Sequence, residues 1–256
     1  MAKFWLGTFL FVAAAALFAP FVPNYGEAAT KTMAFAYQTG GIWGMGYDYL
    51  GRPIAAQLMQ GGQQLLLASL ATALFSQGLG MAIGLWLSTK PPIEKGVSLL
   101  LDALLILPMT VVALVAYSSA GSSLYATIPI TTMLSIPFTS RYYRANAQPL
   151  LQTAFVEQAQ VAGEAMPKIM IREVVPILMR SIRTDLGQAF ITAMYLLTTV
   201  SFLGAGTEEV GFLWSTMVAK NLPGLGLNPW ATTAPILAII AITVPLNLFI
   251  DAVEED

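Results

Sequence analysis

The sequence predicts an all-α membrane protein, a bundle of six transmembrane helices with one helical segment outside the bilayer on the cytoplasmic side. Three observations lead there. Of the 256 residues, 56% are hydrophobic and only 10% are charged, where an ordinary soluble domain carries about 25% charged residues. A soluble fold of this size has too little interior to hide so much apolar surface, so lipid is the expected solvent. Six stretches, at residues 4–22, 63–87, 97–117, 124–139, 185–203 and 233–250, meet or approach the roughly 20 apolar residues that a bilayer core requires. The positive charges, finally, are divided unevenly among the segments that join these stretches.

Taken in order, the first stretch follows Lys3 and looks at first like a secretory signal. Its apolar run is too long for a signal core and no Ala-x-Ala site closes it, so an uncleaved anchor is expected. A loop at 23–62, rich in Gly, Thr and Tyr, leads to the second and cleanest stretch. There Gly80 and Gly84 form a Gly-x-x-x-Gly pair, a spacing that lets helices approach closely, here within the chain. Pro108, Pro129, Pro137, Pro235 and Pro245 lie inside the later stretches and read as kinks, because a bundle can re-satisfy the backbone groups that proline frees. The segment 141–183 is too polar to stay in lipid. It keeps helical periodicity, with Phe155, Ala159, Ala162 and Met166 on one face at three- and four-residue steps. Arg180 and Arg183 read as interfacial anchors whose charged heads reach water. With Lys3 inside, the inner segments hold Lys3, Lys90, Lys95, Arg141, Arg144, Lys168, Arg172, Arg180 and Arg183, and the outer loops hold Lys31, Arg52 and Lys220. Nine against three predicts cytoplasmic termini by the positive-inside rule, in which the acidic tail counts little.

Composition also removes function classes. There is no cysteine and no histidine, hence no disulfide framework, no thiol chemistry, and neither the commonest general base nor the commonest metal ligand. A net charge of −2 offers no footprint for nucleic acid. The chain has no Gly-x-x-x-x-Gly-Lys-Ser/Thr phosphate loop, no Gly-x-Ser-x-Gly and no His-Glu-x-x-His. Asp102 and Asp185 lie near the ends of different helices and read as facing water or a basic partner rather than forming a catalytic dyad. No catalytic, cofactor-binding or metal-binding residue is expected.

The segment Phe155-Val156-Glu157-Gln158-Ala159-Gln160-Val161-Ala162-Gly163, running on to Pro176, resembles the EAA loop of ABC importer permeases. Glu157, Ala159, Gly163 and Pro176 hold the matching positions, while Gln158 replaces the first alanine and Glu173 stands where an apolar residue is common. Gly46-Tyr47-Asp48-Tyr49-Leu50-Gly51-Arg52 is similar to the Gly-Thr-Asp-x-Leu-Gly-Arg signature of the dipeptide, oligopeptide and nickel permeases, with Tyr47 for threonine and Pro53 for the usual aspartate. Ser201-Phe202-Leu203-Gly204-Ala205-Gly206 resembles that family's Ser-Phe-Leu-Gly-x-Gly. Pro229-Trp230, Pro235 and Asn247-Leu248-Phe249-Ile250-Asp251 resemble its last helix, with Ile250 for a glycine.

In order, these matches cover about residues 45–251 of one domain spanning 1–256, and resemble the second, short-tailed permease of the pair. The resemblance implies a permease subunit in a bacterial inner membrane that moves small peptides or a nickel or other metal chelate by alternating access. It implies a second homologous permease, expected as a heterodimer, together with two cytoplasmic ATP-binding subunits and an extracytoplasmic substrate-binding protein. ATP and magnesium would then sit on the partners, not on this chain. Glu157, Ala159, Ala162, Gly163 and Pro176 would couple the chain to the ATPase. Gly163 would let the backbone turn or approach closely, Ala159 and Ala162 would keep the helix slim, and Glu157 would favour the positive end of the helix dipole or pair with an arginine across the interface. Gly46, Asp48, Leu50, Gly51 and Arg52 would form the outer-loop signature. The alternative is a self-sufficient secondary transporter, which predicts midplane acids or histidines and internal repeats, neither evident in the sequence.

Overall fold

The computed structural model describes residues 2–21, 25–90, 92–120, 124–203 and 213–255, and among them it contains helices but no β-strand. Helix α1 (Ala2–Phe18) is apolar beyond Lys3 except for Thr8. It is followed by the short α2 (Tyr25–Thr30), an ordered loop, and then the longest helix, α3 (Ile54–Ser88). At about 1.5 Å per residue, the 35 residues of α3 exceed the roughly 30 Å hydrocarbon core. The helix therefore begins nine residues before the apolar stretch read from the sequence at 63–87.

The third apolar stretch is not a single kinked helix. It is α4 (Glu94–Ile106) and α5 (Met109–Ala120), bent by 90° at the break. At the break, Leu107 precedes Pro108 and takes an extended conformation, φ −76° and ψ 134°, the backbone that a following proline favours. Pro129, Pro137 and Pro149 by contrast stay inside α6 (Leu124–Leu150). Hydroxyls along this helix donate back to carbonyls one turn earlier, among them Thr131 to Thr127 at 2.7 Å, Ser135 to Thr131 at 2.9 Å and Ser140 to Ile136 at 2.7 Å. The chain then makes α7 (Ala154–Val161), α8 (Met166–Ile169), a π-helical turn (Met170–Val174), α9 (Val175–Ile177), α10 (Met179–Phe202), α11 (Trp214–Asn221) and α12 (Trp230–Glu255).

Among the described residues, three helices are long and apolar enough to cross a membrane by themselves: Lys3–Phe21, Ile54–Ser88 and Trp230–Val253. The bent pair α4–α5 makes a fourth if counted as one span. Helices α6 and α10 have 27 and 24 residues. Each mixes its apolar residues with Arg, Gln, Ser and Thr, so neither reads as a lipid-bathed span on composition.

The hub is α3, which packs most extensively on α6 and also meets α10 and α1. Glycines make the α3–α6 contact. A Cβ on Gly80 would lie 2.5 Å from the Thr139 Cβ, and one on Gly84 would lie 2.4 Å from the Ser140 carbonyl oxygen, which is the close packing that small residues allow. The main core joins Leu65 and Leu66 of α3, Phe190, Met194 and Leu197 of α10, Trp214 of α11 and Ile242 of α12. Trp214 also donates from Nε1 to the Leu58 carbonyl at 2.7 Å. The outer surfaces of α1 and α12 present Phe4, Phe11, Phe18, Leu237, Ile240 and Val244, a surface suited to lipid.

Sidedness within the bundle follows from three contacts. Phe9 stacks edge-on against Phe190 at 6.2 Å, and Ala16 lies beside Gly62 near the start of α3. At the other end, Arg180 donates to the Val253 carbonyl at 2.7 Å. Lys3, the end of α12 and the α7–α9 segment therefore share one end, and the loop before α3 occupies the opposite one.

Candidate functional site

The first candidate region is α7 and its connections. Thr153 precedes α7 with extended backbone, φ −86° and ψ 152°. Its hydroxyl bonds back to the Leu150 carbonyl at 2.5 Å and does not cap the helix. Eight residues later the helix stops in a Schellman turn. The Gly163 N–H donates to the Gln160 carbonyl at 2.9 Å and the Glu164 N–H to the Ala159 carbonyl at 3.1 Å, with Gly163 at φ +80°. That left-handed conformation is what glycine supplies at a helix C-terminus. A Cβ on Gly163 would meet nothing within 4 Å, so within this chain the residue serves the turn and not a close approach.

The apolar face of α7 differs in phase from the sequence expectation. Val156 is the fully buried residue, with Ala159 half-buried beside it. They pack on a small cluster of Ala147, Ile169, Met170, Val174 and Leu178. Phe155 and Ala162 are exposed, and Met166 belongs to the next helix, beyond the turn. A Phe155–Ala159–Ala162–Met166 stripe would need one continuous helix, and Gly163 ends it. The outward face instead carries Ala154, Glu157, Gln158, Val161 and Ala162 around a shallow depression, and Val161 is 85% exposed. Glu157 lies in the first turn of α7, where the helix dipole favours a carboxylate.

Pro176 sits at the start of α9, directly after the π turn. A proline here cannot donate to the carbonyl one turn earlier and its ring presses on it. The widened π turn accommodates that conflict. The Leu178 N–H still reaches the Val174 carbonyl at 3.1 Å, and the Ile182 N–H the Leu178 carbonyl at 2.8 Å. Residues 166–202 therefore form a nearly continuous helical column, and 151–153 form a tight turn between α6 and α7. Displacing α7 would act on α6 and α10 together.

The second region is the loop before α3. Asp48 is fully buried and holds the loop together. Its Oδ1 accepts from the Leu50 N–H at 2.9 Å and the Arg52 N–H at 2.8 Å, while Oδ2 accepts from Arg52 Nε at 2.9 Å and Gln57 Nε2 at 3.0 Å. Arg52 adds a 2.7 Å ion pair to the same oxygen and lies over the Tyr49 ring at 5.6 Å. A buried carboxylate is tolerable when charge and hydrogen bonds satisfy it in this way. Gly51 has φ +72°, and a Cβ there would fall 2.0 Å from the Ala34 carbonyl oxygen. Gly46 is likewise enclosed, by the Gln38 carbonyl and Asn228. Leu50 is 47% exposed.

Two asparagines that sequence reasoning did not single out dock this loop on the far helices. Asn221 accepts from the Tyr49 N–H at 3.0 Å, and Asn228 donates to the Met45 and Tyr47 carbonyls at 3.0 and 3.2 Å. Neither residue carries a periodic or motif signal, because its partners lie over 170 residues away. Tyr37 covers Gly224; burial, and then the Asp48 carboxylate, push its phenol above the usual 10.0. Four of the five signature residues thus build a folded plug at one end of α3. Gly204, Ala205 and Gly206 lie outside the described residues.

The fold defines an all-α membrane protein, and comparison with known proteins identifies its kind. The family model described as the binding-protein-dependent transport system inner membrane component matches residues 76–255. The chain belongs to that family. A protein of Brucella suis biovar 1 with the provisional name peptide transport system permease protein is 28% identical over 247 residues, covering 96% of this chain and 83% of its own length. The glutathione transport system permease protein of Escherichia coli O6:K15:H31 is 27% identical over 215 residues, 82% of this chain and 70% of its own. The corresponding protein of Shigella dysenteriae is 26% identical over the same length. This chain is accordingly a permease subunit of an ABC importer, a transport component and not an enzyme. As an inner membrane component it works with ATPase and substrate-binding partners.

Proposed function

We propose that this chain is one of two homologous permeases, in a heterodimer, that import small peptides across a bacterial inner membrane by alternating access. All six helical stretches span the bilayer, with α6 and α10 shielded from lipid by the second permease. Both termini and α7 face the cytoplasm. Two ATP-binding subunits hold ATP and magnesium, and an extracytoplasmic binding protein delivers the cargo. The observation that carries this reading is α7: an exposed helix outside the bundle, ended by Gly163 and joined to α6 and to the helical column of α10. Glu157, Gln158, Val161 and Ala162 face the ATPase. Ala159 seats α7 on the bundle, and Pro176 with its π turn shapes the return to α10. The outer plug around Asp48 and Arg52 keeps the start of α3 ordered where the binding protein docks.

Peptidic cargo is favoured over nickel or another metal chelate. The three relatives described above are named for peptide and glutathione transport, and a chain without His or Cys is a poor ligand set for a soft or borderline metal.

The test is dependence on partners. The purified chain, which has no phosphate-binding loop, should show no ATPase activity. The complex co-expressed with its ATPase subunits and second permease should hydrolyse ATP, faster when the loaded binding protein is added. Robust hydrolysis by the lone chain would overturn the proposal.

A further inference from the structure

Helix α10 carries a polar stripe that the coupling argument does not use. Asp185, Gln188, Thr192, Tyr195 and Thr199 follow one another at three- and four-residue steps, so they share one face. Gln188, Thr192 and Tyr195 are exposed in the single chain, and Asp185 and Thr199 are half-buried. A face of this kind cannot be left against hydrocarbon, where unsatisfied polar groups are costly. It needs water or protein against it.

The inner end of the stripe opens into a cavity of about 310 Å³. Ser135, Thr139 and Tyr142 of α6 and Asp185, Gln188 and Thr192 of α10 line it, and Met109, Phe138 and Ala189 make the rest of a largely apolar wall. Asp185 lies beside Tyr143 and Gln77. Its Oδ2 is buried and accepts no hydrogen bond among the described residues. No ion pair to Asp185 is found among the described residues; Arg141 pairs with Asp102 at 3.4 Å, Arg144 with Glu94, and Arg180 donates to the Val253 carbonyl. An acid that lines a cavity near the end of a span, with no ion pair among the described residues, is a candidate ligand contact. The two helices that form the cavity are also the two that α7 joins, so a movement of α7 reshapes it.

We propose that this cavity belongs to the transport path and that Asp185 is the contact for a cationic group of the cargo, such as the ammonium of a peptide. The inference rests on the reading of the chain as an importer permease. An Asp185 carboxylate at the cavity wall attracts an ammonium, while Ser135, Thr139, Gln188 and Thr192 offer donors and acceptors to adjacent amide groups. Once the ATPase subunits draw α7 along, the ammonium passes from Asp185 to water on the far side.

The chain's lack of cysteine permits a direct test in membranes holding the whole complex. Gln188→Cys is reacted with a trimethylammonium-ethyl methanethiosulfonate and with the ethylsulfonate analogue. Both rates are normalised to those with a free thiol in solution, and modification is read on this chain by mass. The cationic reagent should react about tenfold faster than the anionic one, the scale of a nearby carboxylate's effect on a univalent ion at intermediate dielectric. Adding Asp185→Asn should erase the preference, and adding Asp185→Glu should keep it. No reaction with either reagent would overturn the path assignment. Equal rates with and without Asp185 would overturn the cation site. Binding-protein-stimulated ATPase, measured on the same membranes, reports the permease reading separately, so stimulated hydrolysis with failed labelling sinks this inference alone.

Discussion

Gly163 and Gly51 both adopt positive φ, for different reasons, and the difference decides how each can be tested. Gly51 is enclosed, with the Ala34 carbonyl oxygen 2.0 Å from where a Cβ would be, so any side chain disrupts the Asp48 plug. Gly163, at φ +80°, has open space around it. Only backbone strain and bulk toward a partner oppose a side chain there, and Asn separates the two because it tolerates the left-handed region better than other residues. Gly163→Asn should keep uptake within about twofold of wild type, given the modest strain of a single left-handed residue. Gly163→Arg should express and insert normally, yet lose uptake and copurify less ATPase subunit. Glu157→Lys should be milder, since one exposed pair is worth about 0–1 kcal/mol. Uptake and copurification on matched expression check the series. Full transport by Gly163→Arg would remove the coupling role of α7.

Among the elements, the α3–α6 pair is where spacing and structure agree. The Gly80 and Gly84 spacing announced a close helix contact, and both glycines face α6. Gly84→Val should destabilise the chain by about 1–3 kcal/mol, the usual cost of overpacking. Gly78→Ala on the same helix should be neutral or stabilising by up to about 1 kcal/mol through helix propensity, because a Cβ on Gly78 meets nothing within 4 Å. Thermal denaturation of the two variants in detergent checks the contrast; equal losses would contradict the packing. Other elements were less legible. Pro108 and Pro137 look alike in sequence, but one breaks its helix by 90° and the other is carried through α6. The outcome depends on whether neighbouring groups hold the helix on both sides of the proline, which no local pattern encodes. The phase of α7 departs from its sequence periodicity for a related reason. Phe155 is the larger hydrophobe, but Val156 is the residue that meets Ile169 and Val174.

At the scale of the whole molecule, the two ends differ in lysine and arginine content and in architecture. Lys3, the α7–α9 segment and the end of α12 share one end, and the Asp48 plug occupies the other with Asn221 and Asn228. In the topology proposed from the uneven lysine and arginine distribution, the first end faces the cytoplasm. Single cysteines at Lys3, Gln160 and Lys220 should therefore respond differently to an impermeant thiol reagent in intact cells: only Lys220→Cys should label, and all three should label once the membrane is opened. Labelling of Gln160→Cys from outside would invert the topology.

What the sequence determined by itself is what depends on composition, short spacing and motif order. The shortage of charge required lipid, the apolar stretches located the long helices to within about ten residues, and the ordered motifs pointed to the family that residues 76–255 match. Tertiary structure alone decided the rest. It closed the plug between Asp48 and Asn228, broke the third stretch at Pro108, turned Val156 inward, and set Asp185 beside Tyr143 and Gln77 at a cavity between α6 and α10. Each of these joins residues far apart in the chain or follows from which neighbour fills a space. A burial pattern read from one strand of sequence contains the period of a helix, and the choice of partner is made only when the helices meet.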